Sequence, residues 1–447
     1  MTRRQNREKS QMITVPFSAT PIKEPPDIRT MASIAVWTDR MLATLLENKV
    51  RGGKWHSLYD KVWNPGNLLV SAEKVVDKHG AGGVDHQTVE KFSERFQEEI
   101  DKLQQELKDE SYRPLASRRV GIQKTGSKEI RPLGIPAVRD RVVQTALVNV
   151  IAPIFEHTFH DRSFGFRRGR GPRNALQCIE QLLNAGNVFV VDVDLKSYFD
   201  TIPKDKLFEI VKTKISDGAL LRLIRKYLDQ SVTSELATWT PETGVPQGAV
   251  LSPLLANAYL NPLDHLMAES GFEMVRYADD MVVLCKTLEE AQQAMQLLQD
   301  WTTKAGLTLH PTKTRIVDFR VKSFGFLGYS FRGRFRFPRD KNNKRIKDKI
   351  RELTKRTDGN SLESIVNRLN PMLQGWFNYF RYCFWNIFDD YDGYIRNRLR
   401  SIQVKRQRRN PKRLTRTQRW PNAFFFELGL FSLREAHVRF VQSSRGY

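Results

Sequence analysis

The chain has 447 residues, of which 40% are hydrophobic, so it is long enough for more than one domain and apolar enough to fold. Lysine and arginine outnumber aspartate and glutamate by 73 to 50, and the net charge of +23 indicates a polyanionic partner, either nucleic acid or an anionic membrane surface. No apolar run approaches the roughly 20 residues that span a bilayer, and the start of the chain has no signal-peptide-like apolar segment, so we expect a soluble, intracellular protein.

The N-terminal quarter is predicted to be an arm followed by helices. Residues 1–30 carry prolines and charges without periodicity, which is typical of a mobile arm. Residues 31–110 are predicted to be largely helical, and "EKFSERFQEEIDKLQQELKD" is their clearest amphipathic segment. The glycine-rich stretch "KHGAGGVDHQT" interrupts them, and on local grounds an ordinary loop is favoured over a phosphate-binding loop.

The central part of the chain alternates between predicted strands and helices. "RRVGIQKTGSKEIRPLGIP" predicts a β-hairpin over 118–136, and "GVPQGAVLSPLLANAYL" predicts a turn that leads into an apolar helix. Past Asp340 the pattern changes to strongly basic helices. Further helices are predicted over 140–157, 173–185, 205–230 and 288–304.

Two adjacent carboxylates, Asp279 and Asp280, lie between apolar runs in "MVRYADDMVVL". Neighbouring side chains in a strand point to opposite faces, so the two acids can converge only at a tight turn between two strands. Two ionised carboxylates so close together repel each other, and a divalent cation would remove that repulsion. The alternative is a solvated turn, where aspartate is common.

A second pair of acids, Asp192 and Asp194, follows an apolar run in "NVFVVDVDLKSYFDTI" and lies on one face of a predicted buried strand. A buried acid at the end of such a strand also needs a cation nearby. Metal-assisted phosphoryl transfer uses two Mg²⁺ ions about 3.5–4 Å apart, held by carboxylates from separate strands. One acid from this strand and the pair at the turn would be enough, so the sequence predicts a two-metal site.

The motifs, and the order in which they follow one another along the chain, resemble those of reverse transcriptases. "RYADD" resembles the catalytic turn of that family, "DLKSYFD" its first metal-binding motif, and "FGFLGY" its primer-grip hairpin. "GAGGVD", "IRPLGIPAVRDRVVQTAL", "SFGFRRGRGPRNAL" and "LQGWFNYFRY" are similar to motifs of group II intron-encoded reverse transcriptase/maturases. The resemblance covers roughly residues 50–447 and depends on the motifs together, since any one alone would not be specific.

The resemblance implies an α+β fold of the right-hand polymerase type, with fingers, a palm built on an antiparallel sheet, a helical thumb and a small basic helical extension. Many relatives continue into an HNH-type endonuclease. We expect that domain to be lacking here, so that a primer would come from elsewhere, such as a nascent strand at a replication fork. The implied segments are an N-terminal arm 1–30, a largely helical extension 31–110, fingers and palm 111–335, a thumb or maturase domain 336–409 and a DNA-binding extension 410–447.

The resemblance also implies which residues do the chemistry. Asp194 rather than Asp192 matches the first catalytic acid, because Phe199 then falls five positions later, as the family's aromatic residue does. Asp192 is then a supporting acid. The Leu195 carbonyl would be a further metal ligand, and Mn²⁺ could substitute for the two Mg²⁺ ions. The implied catalytic acids are Asp194, Asp279 and Asp280.

Further residues are implied for substrate binding. Lys124 and Arg131 would bind the triphosphate, with Lys128 as an alternative to Lys124 and a solvated basic hairpin as the plainer interpretation. Phe199 would lie under the sugar and leave no room for a 2′-hydroxyl, unless it is only a core residue. The implied nucleotide contacts are Lys124, Arg131, Phe199, Gln247 and Lys313, the last near the departing pyrophosphate. The implied primer grip is Phe326, Leu327, Gly328 and Tyr329.

The leading hypothesis is an RNA-directed DNA polymerase that also assists the splicing and mobility of its own intron RNA. Its implied partners are group II intron RNA, an RNA template with a DNA primer, target DNA and dNTPs. It would work in the cytoplasm of a bacterial-type cell and would not bind a membrane. A homodimer is left open. Two alternatives remain: an RNA-binding splicing cofactor without polymerase activity, and a related reverse transcriptase recruited to phage defence.

Overall fold

The computed structural model describes residues 36–47, 50–123, 130–235, 237–333, 335–407 and 415–445. The predicted arm over 1–30 and the two lysines Lys124 and Lys128 lie outside these residues. The chain divides into two compact units, with a junction between Ile316 and Val317. Among the helices of the described ranges, none is both long and apolar enough to cross a membrane.

The first unit opens with short helices that pack around one long helix, α6 (Val138–Glu156). Helix α3 begins where Asn64 accepts hydrogen bonds from two backbone amides and Pro65 occupies the first helical position. The amphipathic stretch is divided at Arg95 between α4 (Val89–Glu94) and α5 (Phe96–Lys108), and each helix buries an apolar face. The short elements are α1 Asp39–Leu46, a 3₁₀ turn Arg51–Gly53, α2 Tyr59–Val62, α3 Pro65–Val76, α4 Val89–Glu94 and α5 Phe96–Lys108.

The predicted hairpin over 118–136 is present as an antiparallel pair, in which Ile122 lies opposite Arg131. Strand β1 also pairs in parallel with a short strand, giving a four-stranded sheet in the order β2-β1-β4-β5. The amide of Gly134 donates to the carbonyl of Gln247 at 2.7 Å, which ties this sheet to the "PQG" turn. The strands are β1 Ser117–Gln123, β2 Ile130–Ile135, β4 Val232–Thr233 and β5 Thr238–Trp239.

A second sheet carries the acids, in the order β6-β7-β3-β8. Its central strand β7 is apolar and buried from Met281 to Cys285, because helices cover the sheet. The unit junction falls within β8. The strands are β3 Phe189–Asp194, β6 Glu273–Tyr277, β7 Asp280–Cys285 and β8 Arg315–Asp318.

The helices around this sheet follow the predictions with one difference. The stretch 205–230 was expected to be helical throughout, but it forms two helices, because Asp217 has an extended backbone and its side chain caps the second one. The helices are α7 Pro172–Asn184, α8 Tyr198–Thr201, α9 Lys204–Lys212, α10 Gly218–Leu228, α11 Ser252–Glu269 and α12 Leu288–Ala305.

The second unit contains a three-stranded antiparallel sheet in the order β11-β10-β9, followed by helices. Helix α14 is long and its buried residues recur at helical spacing, from Leu362 to Phe380, so that one face packs into the core of this unit. The elements are β9 Phe324–Phe326, β10 Tyr329–Arg332, β11 Phe335–Pro338, α13 Asp340–Leu353, α14 Leu362–Phe380, α15 Asn386–Arg406, α16 Arg416–Arg419, α17 Asn422–Glu427 and α18 Leu433–Arg445.

Helix α18 carries a fully buried histidine, His437, whose ring lies 4.7 Å from that of Phe388 on α15. Burial and the nearby Arg434 together lower the pKa of His437 to about 4, against the opposite effect of a hydrogen bond with the backbone of Arg381. The neutral ring therefore packs as an apolar group.

We predict that acid weakens this unit through His437. Its folded-state pKa lies below the value near 6.5 of an unfolded chain, so the unfolded state binds more protons and stability falls as the pH drops from 6.5 towards 4. Between pH 7.5 and 5.5 this contributes about 1 kcal/mol. In thermal melts, His437→Leu should reduce the pH dependence, whereas His56→Gln, at an exposed histidine, should not. Equal pH dependence in the wild type and His437→Leu would contradict this assignment.

Candidate active site

The structure brings the two acidic segments together on neighbouring strands. Strands β3 and β7 are antiparallel, and their register places Asp194 directly opposite Asp280. Side chains of directly opposed residues lie on the same face of a sheet, with Cβ atoms about 4.5–5.5 Å apart. Asp280 is also opposite Tyr277 of β6, so it occupies the first position of the central strand.

Asp279 lies in the two-residue turn between β6 and β7. Ala278, the other residue of this turn, has a φ of 58°, a left-handed conformation that an L-residue adopts only when its surroundings fix it. The predicted tight turn between the flanking strands "MVRY" and "MVVL" is therefore present. Its geometry allows two adjacent carboxylates to lie near Asp194.

The turn is held from below by a buried arginine that the sequence interpretation left unassigned. Arg276 of β6 is 1% exposed, and its guanidinium forms an ion pair with Asp264 of α11, which is also buried. Its Nη1 donates to the side-chain oxygen of Asn257 at 2.9 Å and to the carbonyl of Ala278 at 3.0 Å. The last bond fixes the residue that precedes Asp279.

A loop from "SFGFRRGR" lies alongside the same turn. The amide of Phe164 donates to the carbonyl of Arg276 at 2.9 Å, and Asn257 donates to the carbonyl of Gly165 at 2.7 Å. A Cβ atom on Gly165 would lie 2.2 Å from the amide nitrogen of Ala278, so only glycine fits there. The motif thus acts as a backbone support for the turn that carries the acids.

Asp194 is surrounded by the segment "LHPTKT". The ammonium of Lys313 lies 2.8 Å from its carboxylate, and the amide of His310 donates to its carbonyl at 2.7 Å. Asp192, which was expected to be a supporting acid, lies 3.7 Å from the guanidinium of Arg315. A basic side chain therefore lies near each of these two acids of β3. The two basic residues, Lys313 and Arg315, are two positions apart in sequence.

Burial dominates the electrostatics of Asp279. It raises the pKa of this carboxyl, and the charge of Asp194 raises it further, while Arg131 and Arg276 act in the opposite direction. A buried carboxylate next to a second carboxylate is stabilised by a nearby cation. Oxygen donors of this kind suit a hard divalent ion such as Mg²⁺.

The donor set fits a divalent metal, although the side chains are not arranged around one. In the described ranges, no three His, Cys, Asp or Glu side chains are close enough together to form a ready metal-binding group. The Lys313 ammonium, which contacts Asp194, occupies the neighbourhood of a potential ligand. We therefore treat the acids as potential ligands, of which Asp194 is paired with the ammonium of Lys313.

Three of the residues expected to contact the nucleotide lie on β2, on α8 and in the turn before α11. Arg131 of β2 is exposed and acts electrostatically on both Asp279 and Asp200. The side chain of Gln247 hydrogen-bonds to Asp200, whose pKa is raised by burial. Ser197, two residues before Phe199, has a φ of 50°. The carbonyl of Phe199 accepts a hydrogen bond from the amide of Val245 at 2.8 Å. Lys124 is outside the described residues.

The expected primer-grip residues form the tight hairpin between β9 and β10 in the second unit. Phe326 and Tyr329 are buried, and Leu327 and Gly328 make the turn with φ values of 46° and 81°. Tyr379 donates its hydroxyl hydrogen to the carbonyl of Leu327 at 2.8 Å. The carbonyl of Gly328 accepts from the Asn342 side chain and the Arg339 amide, each at 2.9 Å. The backbone of this turn is thus fixed by side chains of its own unit.

Comparison with known proteins matches the chain to two family models in succession. Residues 122–331 match the model described as reverse transcriptase (RNA-dependent DNA polymerase). Residues 343–420 match the model described as the group II intron maturase-specific domain. Together the matches cover more than half of the chain. The first match confirms the predicted α+β fold of the right-hand polymerase type.

Several proteins show similarity to the chain. Protein YkfC of Escherichia coli K12 is 39% identical over 214 residues, which cover 46% of this chain and 56% of YkfC. The group II intron-encoded protein LtrA of Lactococcus lactis subsp. cremoris is 34% identical over 227 residues, covering 50% of this chain and 37% of LtrA. The chain therefore matches less than two thirds of the length of either relative. A solved structure titled partial Cas6-RT-Cas1–Cas2 complex matches at 23% identity and a TM-score of 0.36, covering 55% of this chain and 41% of that chain.

Proposed function

This chain belongs to the family of group II intron-encoded reverse transcriptase/maturases, whose two domains it carries in order, and from that premise we propose that it copies RNA into DNA and assists the splicing and mobility of an intron RNA. One observation carries the proposal. Asp194 and the pair Asp279 and Asp280 come from segments 85 positions apart, yet the β3–β7 register brings them to the same end of one sheet.

A divalent metal ion is expected from the reverse transcriptase domain. We propose two Mg²⁺ ions, which Mn²⁺ could replace, held by the three aspartates and the Leu195 carbonyl. When bound, such ions activate the primer 3′-hydroxyl and stabilise the charge on the leaving pyrophosphate. The protein contributes a turn whose backbone is held next to the acids by Arg276 and Gly165.

The cationic residues near the acids are proposed to bind the triphosphate. Arg131 already acts on Asp279, and its planar guanidinium suits two phosphate oxygens at once. Lys313 is proposed to exchange its contact with Asp194 for the departing pyrophosphate, whose negative charge it would stabilise. Lys124 is proposed to act with Arg131 from the other arm of the hairpin.

Two further residues are proposed to read the incoming nucleotide. The Gln247 side chain, which hydrogen-bonds to Asp200, would also contact the nucleotide, and Phe199 would lie under the sugar and exclude a 2′-hydroxyl. The turn that carries Gln247 is rigid, because a Cβ atom on Gly248 would lie 2.6 Å from the carbonyl of Gly134. The Phe326–Tyr329 hairpin would hold the primer end.

The proposed division of labour follows the sequence segments. We propose that 31–110 is a helical extension, that 111–335 holds the fingers and palm, and that 336–409 is the thumb and maturase domain. The segment 410–447 is proposed to bind target DNA. The basic helix α13 is rich in exposed lysine and arginine, and α15 exposes Lys405 and Arg406 at its C-terminal end, which suits contacts with the phosphates of intron RNA and of the template–primer duplex.

Primer extension tests the function. The full-length protein, given an RNA template with an annealed DNA primer, dNTPs and Mg²⁺, should extend the primer, and a chelator should stop the reaction. Salt-dependent RNA binding without extension at any Mg²⁺ or Mn²⁺ concentration would instead favour the splicing cofactor. Group II intron RNA domains beside the gene would separate the intron role from a role in phage defence.

A further inference from the structure

Phe166 is exposed where an apolar side chain would normally be buried. Its relative exposure of 54% is the highest of any phenylalanine in the described part of the chain. Its φ of 57° lies in the left-handed region, which is rare for a bulky residue. Such a conformation persists only where the surroundings enforce it, and it occurs often at functional sites. Packing in the protein core therefore does not explain why a phenylalanine is exposed in this backbone conformation.

The two neighbours of Phe166 in sequence are fixed inside the protein. Gly165 lies against the backbone of Ala278 in the catalytic turn, and its carbonyl accepts a hydrogen bond from Asn257. Arg167 is 6% exposed, and its Nη1 donates to the carbonyls of His160 at 2.7 Å and Ser163 at 2.6 Å. With both neighbours held inward, the Phe166 ring is directed outward in a defined position.

The exposed ring contacts the residue proposed to select the sugar. The ring centroids of Phe166 and Phe199 are 6.3 Å apart with an interplanar angle of 81°, an edge-to-face pair. Tyr198 contacts Phe199 in a similar way at 5.5 Å, but Tyr198 is buried, so the two rings support Phe199 from the protein interior and from the solvent side.

We propose that Phe166 is a positioning residue for sugar selection, which braces Phe199 from its solvent side so that this ring cannot tilt away from a 2′-hydroxyl. The inference rests on the proposed polymerase function and adds a residue to it. Because Phe166 is attached through Gly165 to the turn that carries Asp279, the brace keeps the ring of Phe199 in a fixed relation to the acids. Phe166 acts through Phe199 rather than on the reacting atoms.

The variant Phe166→Gly removes the ring and suits the backbone, since glycine adopts a positive φ without strain. We expect its thermal stability to equal or exceed that of the wild type. Its discrimination, the ratio of kcat/KM for a dNTP to kcat/KM for the matching rNTP, should fall by about fivefold, the order that loss of one edge-to-face pair would produce. Phe166→Tyr should keep wild-type discrimination. Leu69→Ala, at an exposed leucine of α3 in the first unit, is the control and should change neither quantity.

A double-mutant cycle identifies the route of the effect. Phe199→Ala should reduce discrimination more than Phe166→Gly, and the double variant should discriminate no worse than Phe199→Ala alone, because the brace has nothing left to support. Wild-type discrimination in Phe166→Gly, or losses that multiply in the double variant, would overturn the inference while Phe199→Ala still reports on the proposed function. If the wild-type protein extends no primer, the proposed function fails, and this inference fails with it.

Discussion

Replacing Asp279 with asparagine should reduce primer extension by about a hundredfold to a thousandfold, the size of effect seen when a group that stabilises a transition state is removed. Asparagine has the shape of aspartate but no charge, so it cannot balance a divalent cation. The fold should not suffer. Asp279 is a buried carboxyl next to Asp194, and its burial and this neighbour both oppose ionisation. We therefore expect the melting temperature of Asp279→Asn to equal or exceed that of the wild type.

The control for this prediction is an acid of the same unit that lies outside the site. Asp205 has an 86% exposed side chain paired with Arg225, so Asp205→Asn should leave extension unchanged. In a filter-binding assay, both variants and the wild type should bind the RNA template annealed to its DNA primer equally well, because the substitutions leave the basic surfaces unchanged. Normal cDNA synthesis by Asp279→Asn would disprove the assignment of the catalytic acids.

The acidic centre could be predicted from the sequence because its information is local. An adjacent acid pair between two apolar runs already indicates a turn, and alternation places Asp192 and Asp194 on one face of a strand. What joins them is the register of β3 with β7, which the motif order could suggest only through the family. The Lys313–Asp194 ion pair could not be predicted as a contact, since loop geometry brings the two residues together.

The support beneath the turn was missed for a different reason. Arg276 stands in "MVRYADD", where an arginine at the edge of an apolar strand suggests an exposed position. It is buried because Asn257 and Asp264 of α11 provide acceptors, and these two residues lie seven positions apart on the buried face of that helix. That spacing was a usable signal. Polar residues two helical turns apart on a buried face indicate a buried partner.

Breaking the Arg276–Asp264 pair should have the second large effect, this time on stability. Asp264→Leu leaves the guanidinium of Arg276 buried with its opposite charge removed, and the loss of one partner of a buried pair costs about 3–5 kcal/mol. In chemical denaturation of the full-length protein, this loss should lower the denaturant concentration at which the first unit unfolds. Asp205→Leu, which breaks an exposed pair, should cost at most about 1 kcal/mol.

The double variant Asp264→Leu/Arg276→Met separates stability from function. Apolar replacement of both partners of a buried pair is often close to neutral, so most of the lost stability should return. Primer extension should not return with it, because Arg276 also donates to the carbonyl of Ala278 at 3.0 Å and so fixes the turn before Asp279. A double variant that recovers both properties would show that the turn holds its shape without Arg276. In that case the Gly165 contact and the β-register alone would orient the acids.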